Sequence, residues 1–584
     1  MSAKLLNQLT NLARTENGAL GYKSTLNACL DFFFQTVPRM PESTLRDSLA
    51  RSWSESPLTS LKLLFQLRDV RRGKNDRHNF YKGMNWLMEN HPRTLMSNLE
   101  MIPVVGCWKD LLRIPVAHVY QLLPEPKKPE FKRYDSFREK RQEKDRRIAA
   151  RQVKPLTKEE RSDIIRKDLE WQKSIIRAHH ARLREHRDKV LADNPLIAEM
   201  VEKIACMFYD QLKLDLESMK QGKYVSLAAK WAPSQHRNHD RLLGITKRIA
   251  LKFFPLDENL AKTKEDVLAW EVKAKHRLQK EILAPLRRYT PVTEVFMCAK
   301  EWDAVHYPRV HSQCMQINEK RFRKYDKERF LAYLADVAQG KSTITAGAVL
   351  PHTIIRCKNE VGEQQWNRYV ADLKAQGALD GVLPVCDVSD SMTGEPMDVC
   401  IALGLLASSL AKPPFERLVC TFSQRPQFVR LPEGSLQDQV QELERIDWGC
   451  NTDFEAVFNL ILERAQAASI PPEDMIKKVL VLSDMQFDQS ATDMDWTTTH
   501  ERIQAKFQKA GYPLPAFIYW NLRHTRGAIP ATASQPGITM LSGFSGKLMQ
   551  LLLDNSQDMG AKCSEEIMLE ALNVKGYERL QVVD

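Results

Sequence analysis

LPVCDVSDSM, from Leu383 to Met392, decides the fold of the C-terminal part of the chain. Its first half is an apolar run of strand length, and its second half turns at once into hydroxyls and carboxylates. A short strand without polar alternation is buried on both faces, as in a parallel sheet. Working outward, RLVCTF (Arg417–Phe422), VLVLS (Val479–Ser483) and PAFIYW (Pro515–Trp520) repeat this pattern. Amphipathic stretches at Met397–Leu410, Phe454–Ala467 and Thr498–Ala510 separate them and predict helices. Strands alternating with helices imply an α/β, Rossmann-like doubly wound domain over 377–584. In such sheets the binding crevice lies at the carboxyl ends of the strands.

Three segments deliver oxygen ligands to that edge. DVSDS supplies Asp387, Ser389 and Ser391; GCNTDFEAV (Gly449–Val457) puts Thr452 just before a helix; VLVLSD ends in Asp484. Taken singly, each is an ordinary turn or N-cap residue. Together they fall at one sheet edge and form an oxygen-only set suited to a hard ion, Mg²⁺ or Mn²⁺. With so few charged ligands the ion stays electrophilic and can accept a carboxylate from a protein partner.

This pattern resembles the metal-ion-dependent adhesion site of the von Willebrand factor A family, DxSxS followed by a Thr and then an Asp. The resemblance implies that Ser389 and Ser391 bind the ion directly and that Asp387 and Asp484 hold its waters. Thr452 would join when ligand engages. Two departures stand out: Asp390 replaces a small residue inside DxSxS, and Cys450–Asn451 replaces the usual glycine pair before Thr452. Neither removes a ligand.

Residues 1–376 read differently. LTSLKLLFQL (Leu58–Leu67) and RFLAYLADV (Arg329–Val337) space apolar residues three and four apart, as amphipathic helices do. No repeat of fixed period appears, so a HEAT-like array would have to be built of divergent units. Between Pro126 and Val190 lie 22 Lys/Arg and 12 Asp/Glu. The second part of that insertion spaces Leu169, Ile176, Leu183 and Val190 by seven, predicting a long charged helix with a narrow apolar seam. Charge separates the halves. The chain is +12 overall, yet from Gly381 onward 17 Lys/Arg face 27 Asp/Glu, leaving a net of +22 in front. A basic front and an acidic back suit different partners.

The 11 cysteines are scattered, with no CxxC, which argues against zinc fingers and for a reducing compartment, cytoplasm or nucleus. No run approaches the roughly 18 apolar residues of a membrane span, and no secretory signal opens the chain. The GKST at Gly340 lacks the upstream glycine of a phosphate loop, and no GxSxG, HExxH or kinase set occurs, so a non-enzymatic role is expected.

Segments LDFFFQ (Leu30–Gln35), LKLLFQLRDVRRGKNDR (Leu61–Arg77), NWLMENHP (Asn85–Pro92), SLAAKWAPS (Ser226–Ser234), APLRR (Ala284–Arg288) and GKSTITAGAVLPH (Gly340–His352) resemble an uncharacterised family of plants and giant viruses. That family joins a helical region to an A-like domain. The layout is also similar to the Ro family, whose helical ring binds structured RNA beside an A-like domain. The resemblance implies an RNA-binding scaffold, and a protein-interaction scaffold without RNA is the alternative. Candidate phosphate contacts are Arg68, Arg71, Arg72, Lys74 and Arg77 in RDVRRGKNDR, and Lys127, Lys128, Lys132, Arg133, Arg146 and Arg147 in the insertion. Trp231 beside Lys230 and Trp108 beside Lys109 are candidate base-stacking surfaces.

Overall fold

The structure is a computed structural model that describes residues 11–121, 158–256, 263–387, 389–422, 425–445, 453–487, 499–525, 529–554 and 560–584. Contacts divide it into two compact units, Met1–Gly106 with Pro291–Asp584, and Cys107–Thr290. The first hundred residues thus fall in one unit with the α/β part.

In the first unit a hairpin of β1 (Leu12–Arg14) and β2 (Leu20–Tyr22) opens the described chain. Tyr22 continues it into the body, exchanging backbone hydrogen bonds of 2.8 and 2.7 Å with Ile529. Helix Ala28–Gln35 is capped by Asn27, whose side chain accepts from Leu30 N at 2.8 Å. Its Phe32, Phe33 and Phe34 are all buried, because it lies against helices Glu42–Glu55 and Pro57–Arg68 as well as the sheet.

The sheet has six strands: β3 (Val382–Asp387), β4 (Leu418–Phe422), β5 (Phe428–Arg430), β6 (Lys478–Ser483), β7 (Ala516–Asn521) and β8 (Ile538–Ser542). Their order is β5-β4-β3-β6-β7-β8, parallel throughout except for the antiparallel β4–β5 edge. Every residue of β3, β6, β7 and β8 is buried, which is why β3, β6 and β7 read as mainly apolar runs. Helix Glu395–Leu410 packs on β3, and helix Ala28–Gln35 covers β7 and β8. Successive strands step away from β3 on one side and from β6 on the other, so the order reverses between them. That makes the carboxyl ends of β3 and β6 the topological switch point.

The N-terminal helices are tied to this sheet by polar contacts as well. Lys74 Nζ donates to Ser542 Oγ at 2.7 Å, to Thr36 O at 2.9 Å, and to Phe33 O. Asn521 Nδ2 donates to Phe34 O at 3.2 Å, and the Tyr577 hydroxyl to Asp69 Oδ2 at 3.0 Å.

The described part of the second unit is helical: Trp108–Gln121, Lys158–Asp193, Pro195–Lys220 and shorter helices to Tyr289. The seven-residue seam falls on one helix of 36 residues. Leu183 and Val190 on it are buried, whereas Leu169 and Ile176 are 48% and 51% exposed, so the seam is covered only over its second half. No described helix is long and apolar enough to cross a membrane. Of the ten cysteines among the described residues, Cys29, Cys386, Cys400 and Cys420 are buried.

Candidate metal site at the switch point

β3 ends in Asp387 and β6 runs through Ser483 into Asp484, so parallel pairing puts two carboxylates side by side. Both are only 1% exposed. The Asp387 oxygens are both engaged, Oδ1 by Ser389 N at 3.0 Å and Oδ2 by the Ser483 hydroxyl at 2.6 Å. Ser389 and Ser391 face each other with hydroxyl oxygens 2.9 Å apart. Asp484 Oδ1 accepts from Gln486 N at 3.2 Å, while its Oδ2 is buried without a hydrogen-bond partner.

Electrostatics make this an uncomfortable arrangement for protein alone. Burial, and then repulsion from Asp484, push the Asp387 carboxyl up to about 6. Burial also raises Asp484, opposed by Ser391, Gln486 and Arg523 and reinforced by Glu16. Two buried carboxylates, one with an oxygen that takes no hydrogen bond and has only Arg523 3.8 Å away, call for further positive charge. The residues therefore fit a hard divalent ion. Among the described residues no group of three or more His, Cys, Asp or Glu side chains gathers to hold a metal, so an ion here would draw on the serine hydroxyls and on waters. Thr452 lies outside the described residues. Asp390 points its residue surface to solvent.

Three neighbours escaped the sequence reading. Ser483 orients Asp387. Arg523, two residues beyond β7 at the same sheet edge, donates to Ser391 O and lies 3.8 Å from Asp484 Oδ2. The tip of the β1–β2 hairpin reaches the loop after β6: Thr15 Oγ1 donates to Phe487 O at 2.7 Å, Glu16 N to Gln486 Oε1 at 2.7 Å, and Asn17 Nδ2 to Gln486 O at 3.0 Å. The strand-end positions of Ser483 and Arg523 were a usable signal. The hairpin, some 470 residues away in sequence, left none.

The basic loop at 68–77 is largely a structural turn, which corrects part of the phosphate-contact expectation. Asp69 Oδ1 accepts from Arg71 N and Arg72 N at 2.8 and 3.1 Å. A Cβ on Gly73 would meet Gln66 O at 2.0 Å. Lys74 is 2% exposed and Arg68 6%; Arg68 Nη1 bonds Asn75 Oδ1 at 3.2 Å. Both side chains have turned inward, that of Lys74 onto the buried carbonyls of Phe33 and Thr36. Arg71, Arg72 and Arg77 are exposed, although the Arg71 guanidinium is held by Val104 O. Lys127, Lys128, Lys132, Arg133, Arg146 and Arg147 lie outside the described residues.

In the second unit Trp108 packs against Phe208, ring centroids 5.0 Å apart. Trp231 instead takes two ammonium groups over its ring, Lys109 at 5.2 Å and Lys230 at 5.3 Å. Burial, then Lys109 and Arg113, hold His239 below its ordinary range. His180 is lowered by burial and by Arg241, His179, Arg184 and His236. Cations from several helices thus crowd one another. Over residues 107–290 the sequence holds 42 Lys/Arg against 27 Asp/Glu, a net of +15, more than the +12 of the whole chain.

Residues 15–379 match the family described as "Domain of unknown function (DUF2828)". The chain belongs to the DUF2828 family. A second family, "Domain of unknown function (DUF7788)", matches residues 381–579 of this DUF2828 protein. A relative, "Uncharacterized protein L728" of Acanthamoeba polyphaga mimivirus, is 25% identical over 570 residues, covering 94% of this chain and 85% of the relative. Among solved structures, the Ro (RSR) protein of Deinococcus radiodurans aligns over 91% of this chain and 99% of its own with 11% identity and a TM-score of 0.40.

Proposed function

We propose that the protein is a non-catalytic scaffold whose α/β part is a von Willebrand factor A-like domain that binds Mg²⁺ or Mn²⁺ and, through the ion, an acidic residue of a protein partner. The observation that carries this reading is the bare, buried Oδ2 of Asp484 beside Asp387 at the switch point. A strand order of 3-2-1-4-5-6, counted from β3 as first, supports the doubly wound assignment. Asp387, Ser389, Ser391 and Asp484 would hold the ion, with Thr452 as the remaining candidate; the ion would supply the Lewis acidity that draws in a carboxylate. Calorimetric titration of the full chain with Mn²⁺ tests this. Binding that disappears in Asp387→Ala supports the site, and equal binding in both proteins removes it.

The second half of the proposal is that unit Cys107–Thr290 binds a polyanion, structured RNA, through the face around Trp231. Its support is the net of +15 and the paired lysines on an aromatic ring. Protein isolated from cells with and without nuclease, followed by sequencing of retained RNA, tests it. Enriched RNA whose affinity falls with salt is the expected result. No enrichment and no salt dependence would leave the protein-only scaffold in its place.

A further inference from the structure

Arg523 stands at the mouth of the site. Its side chain is 46% exposed above an Asp484 that is 1% exposed, with Nη1 3.8 Å from Asp484 Oδ2. The same nitrogen donates to the Ser391 backbone carbonyl, so the guanidinium reaches across both ligand-bearing segments. That Asp484 oxygen is buried and has no hydrogen-bond partner. A guanidinium is a cation with five N–H donors and no acceptor.

Resting on the metal-site reading above, we infer that Arg523 is the residue that selects the site's ligand: it competes with the ion for Asp484 and, once displaced, grips the incoming carboxylate alongside the ion. Two cations cannot share Asp484 Oδ2 at this range, so an ion held there pushes the guanidinium outward. Outward is open to it, since nearly half of the side chain is already in solvent. From the rim its planar fork presents two parallel donors, the geometry that matches a carboxylate. One ligand oxygen then meets both the ion and one N–H of the fork, and the other oxygen meets the second N–H. The ligand class that follows is an acidic side chain of a protein, and ion and ligand bind cooperatively. The ion frees the guanidinium, and the ligand keeps it from returning. By linkage, the ligand tightens ion binding by the same factor as the ion tightens ligand binding.

The test is calorimetry of the full chain with Mn²⁺, with and without acetate as carboxylate probe, on wild type, Arg523→Gln, Arg523→Lys and Asp387→Ala. In chloride buffer Arg523→Gln should bind Mn²⁺ about five- to tenfold more tightly than wild type, because the competing cation is gone. Acetate should tighten Mn²⁺ binding in wild type and do so much less in Arg523→Gln. Arg523→Lys keeps the charge without the fork, so it should show wild-type competition and weakened acetate coupling. Mn²⁺ affinity in Arg523→Gln equal to or below wild type, or an undiminished acetate effect, overturns the inference. Asp387→Ala separates the two levels. If it abolishes Mn²⁺ binding while Arg523→Gln changes nothing, only the role of Arg523 falls. If it changes nothing, the site itself falls and the inference with it.

Discussion

Replacing Lys74 with methionine separates a buried clamp from a phosphate contact. The amine is enclosed, and burial pushes it down to about 7, with Asp76 opposing. Unfolded, the same amine titrates near 10.4. Between these limits the unfolded chain holds a proton that the native protein does not, so wild-type stability rises with pH by about 1.4 kcal/mol per unit. From pH 7.5 to 9 the gain over Lys74→Met is about 2 kcal/mol. The variant has no such proton, and it also leaves carbonyls short of donors. Ser542 Oγ, which donates to Phe33 O at 2.8 Å and Thr36 O at 3.1 Å, can keep only one satisfied. The other costs roughly 1–3 kcal/mol. Urea unfolding of both proteins across pH 7–9.5 reads the slope, and salt-dependent binding to an RNA homopolymer reads the contact. Parallel pH curves, together with a salt slope reduced by about one in the variant, would refute the buried clamp and restore Lys74 as a phosphate contact.

Other expected outcomes follow from the site and its supports. Mn²⁺ affinity should fall as pH drops through about 6, because the Asp387 carboxyl titrates there and the ion needs it ionised; titrations at pH 5.5 and 7.5 would show it. Gly404→Ala would place a Cβ 2.4 Å from Cys386 Sγ, overpacking the helix against the strand that carries Asp387. A loss of about 1–3 kcal/mol in denaturant unfolding, with weaker Mn²⁺ binding, is expected. Trp231→Ala should weaken binding of a structured RNA with unpaired loop bases by about 1–3 kcal/mol if one such base stacks there, read by fluorescence anisotropy; an unchanged affinity moves the RNA surface elsewhere.

Much of the α/β part was legible because burial writes itself into continuous apolar runs. β3, β4, β6 and β7 fall within a residue or so of the runs that announce them, and helices Glu395–Leu410 and Phe454–Ala467 appear where their amphipathic stretches lie. β8 (ITMLS) was missed: its Thr539 interrupts the apolar pattern, and its cover, helix Ala28–Gln35, lies about 500 residues upstream. β5 is three exposed-edge residues with no inward pattern to read. At the site the carboxylates and hydroxyls were visible as strand-end residues, and the place of Arg523 just past β7 could have been, whereas its reach to Asp484 and the hairpin at Glu16 depend on long-range packing. The basic loop misled because a lysine in a charged string looks solvated, and only the fold shows Lys74 satisfying carbonyls. Local periodicity carries no record of which distant segment supplies a partner.

The discontinuous first unit has a consequence for how the chain is made. Lys74 and Ser542 are separated by 468 positions, and at roughly 5–20 residues per second that is about 25–90 s of synthesis. For that interval the phenylalanines of helix Ala28–Gln35 have no β8 to lie on. The newborn N-terminal segment lacks that cover while Cys107–Thr290, a compact unit of its own, emerges whole. A gene cut at the family boundary near residue 380 would strand both halves, each holding one side of a shared core.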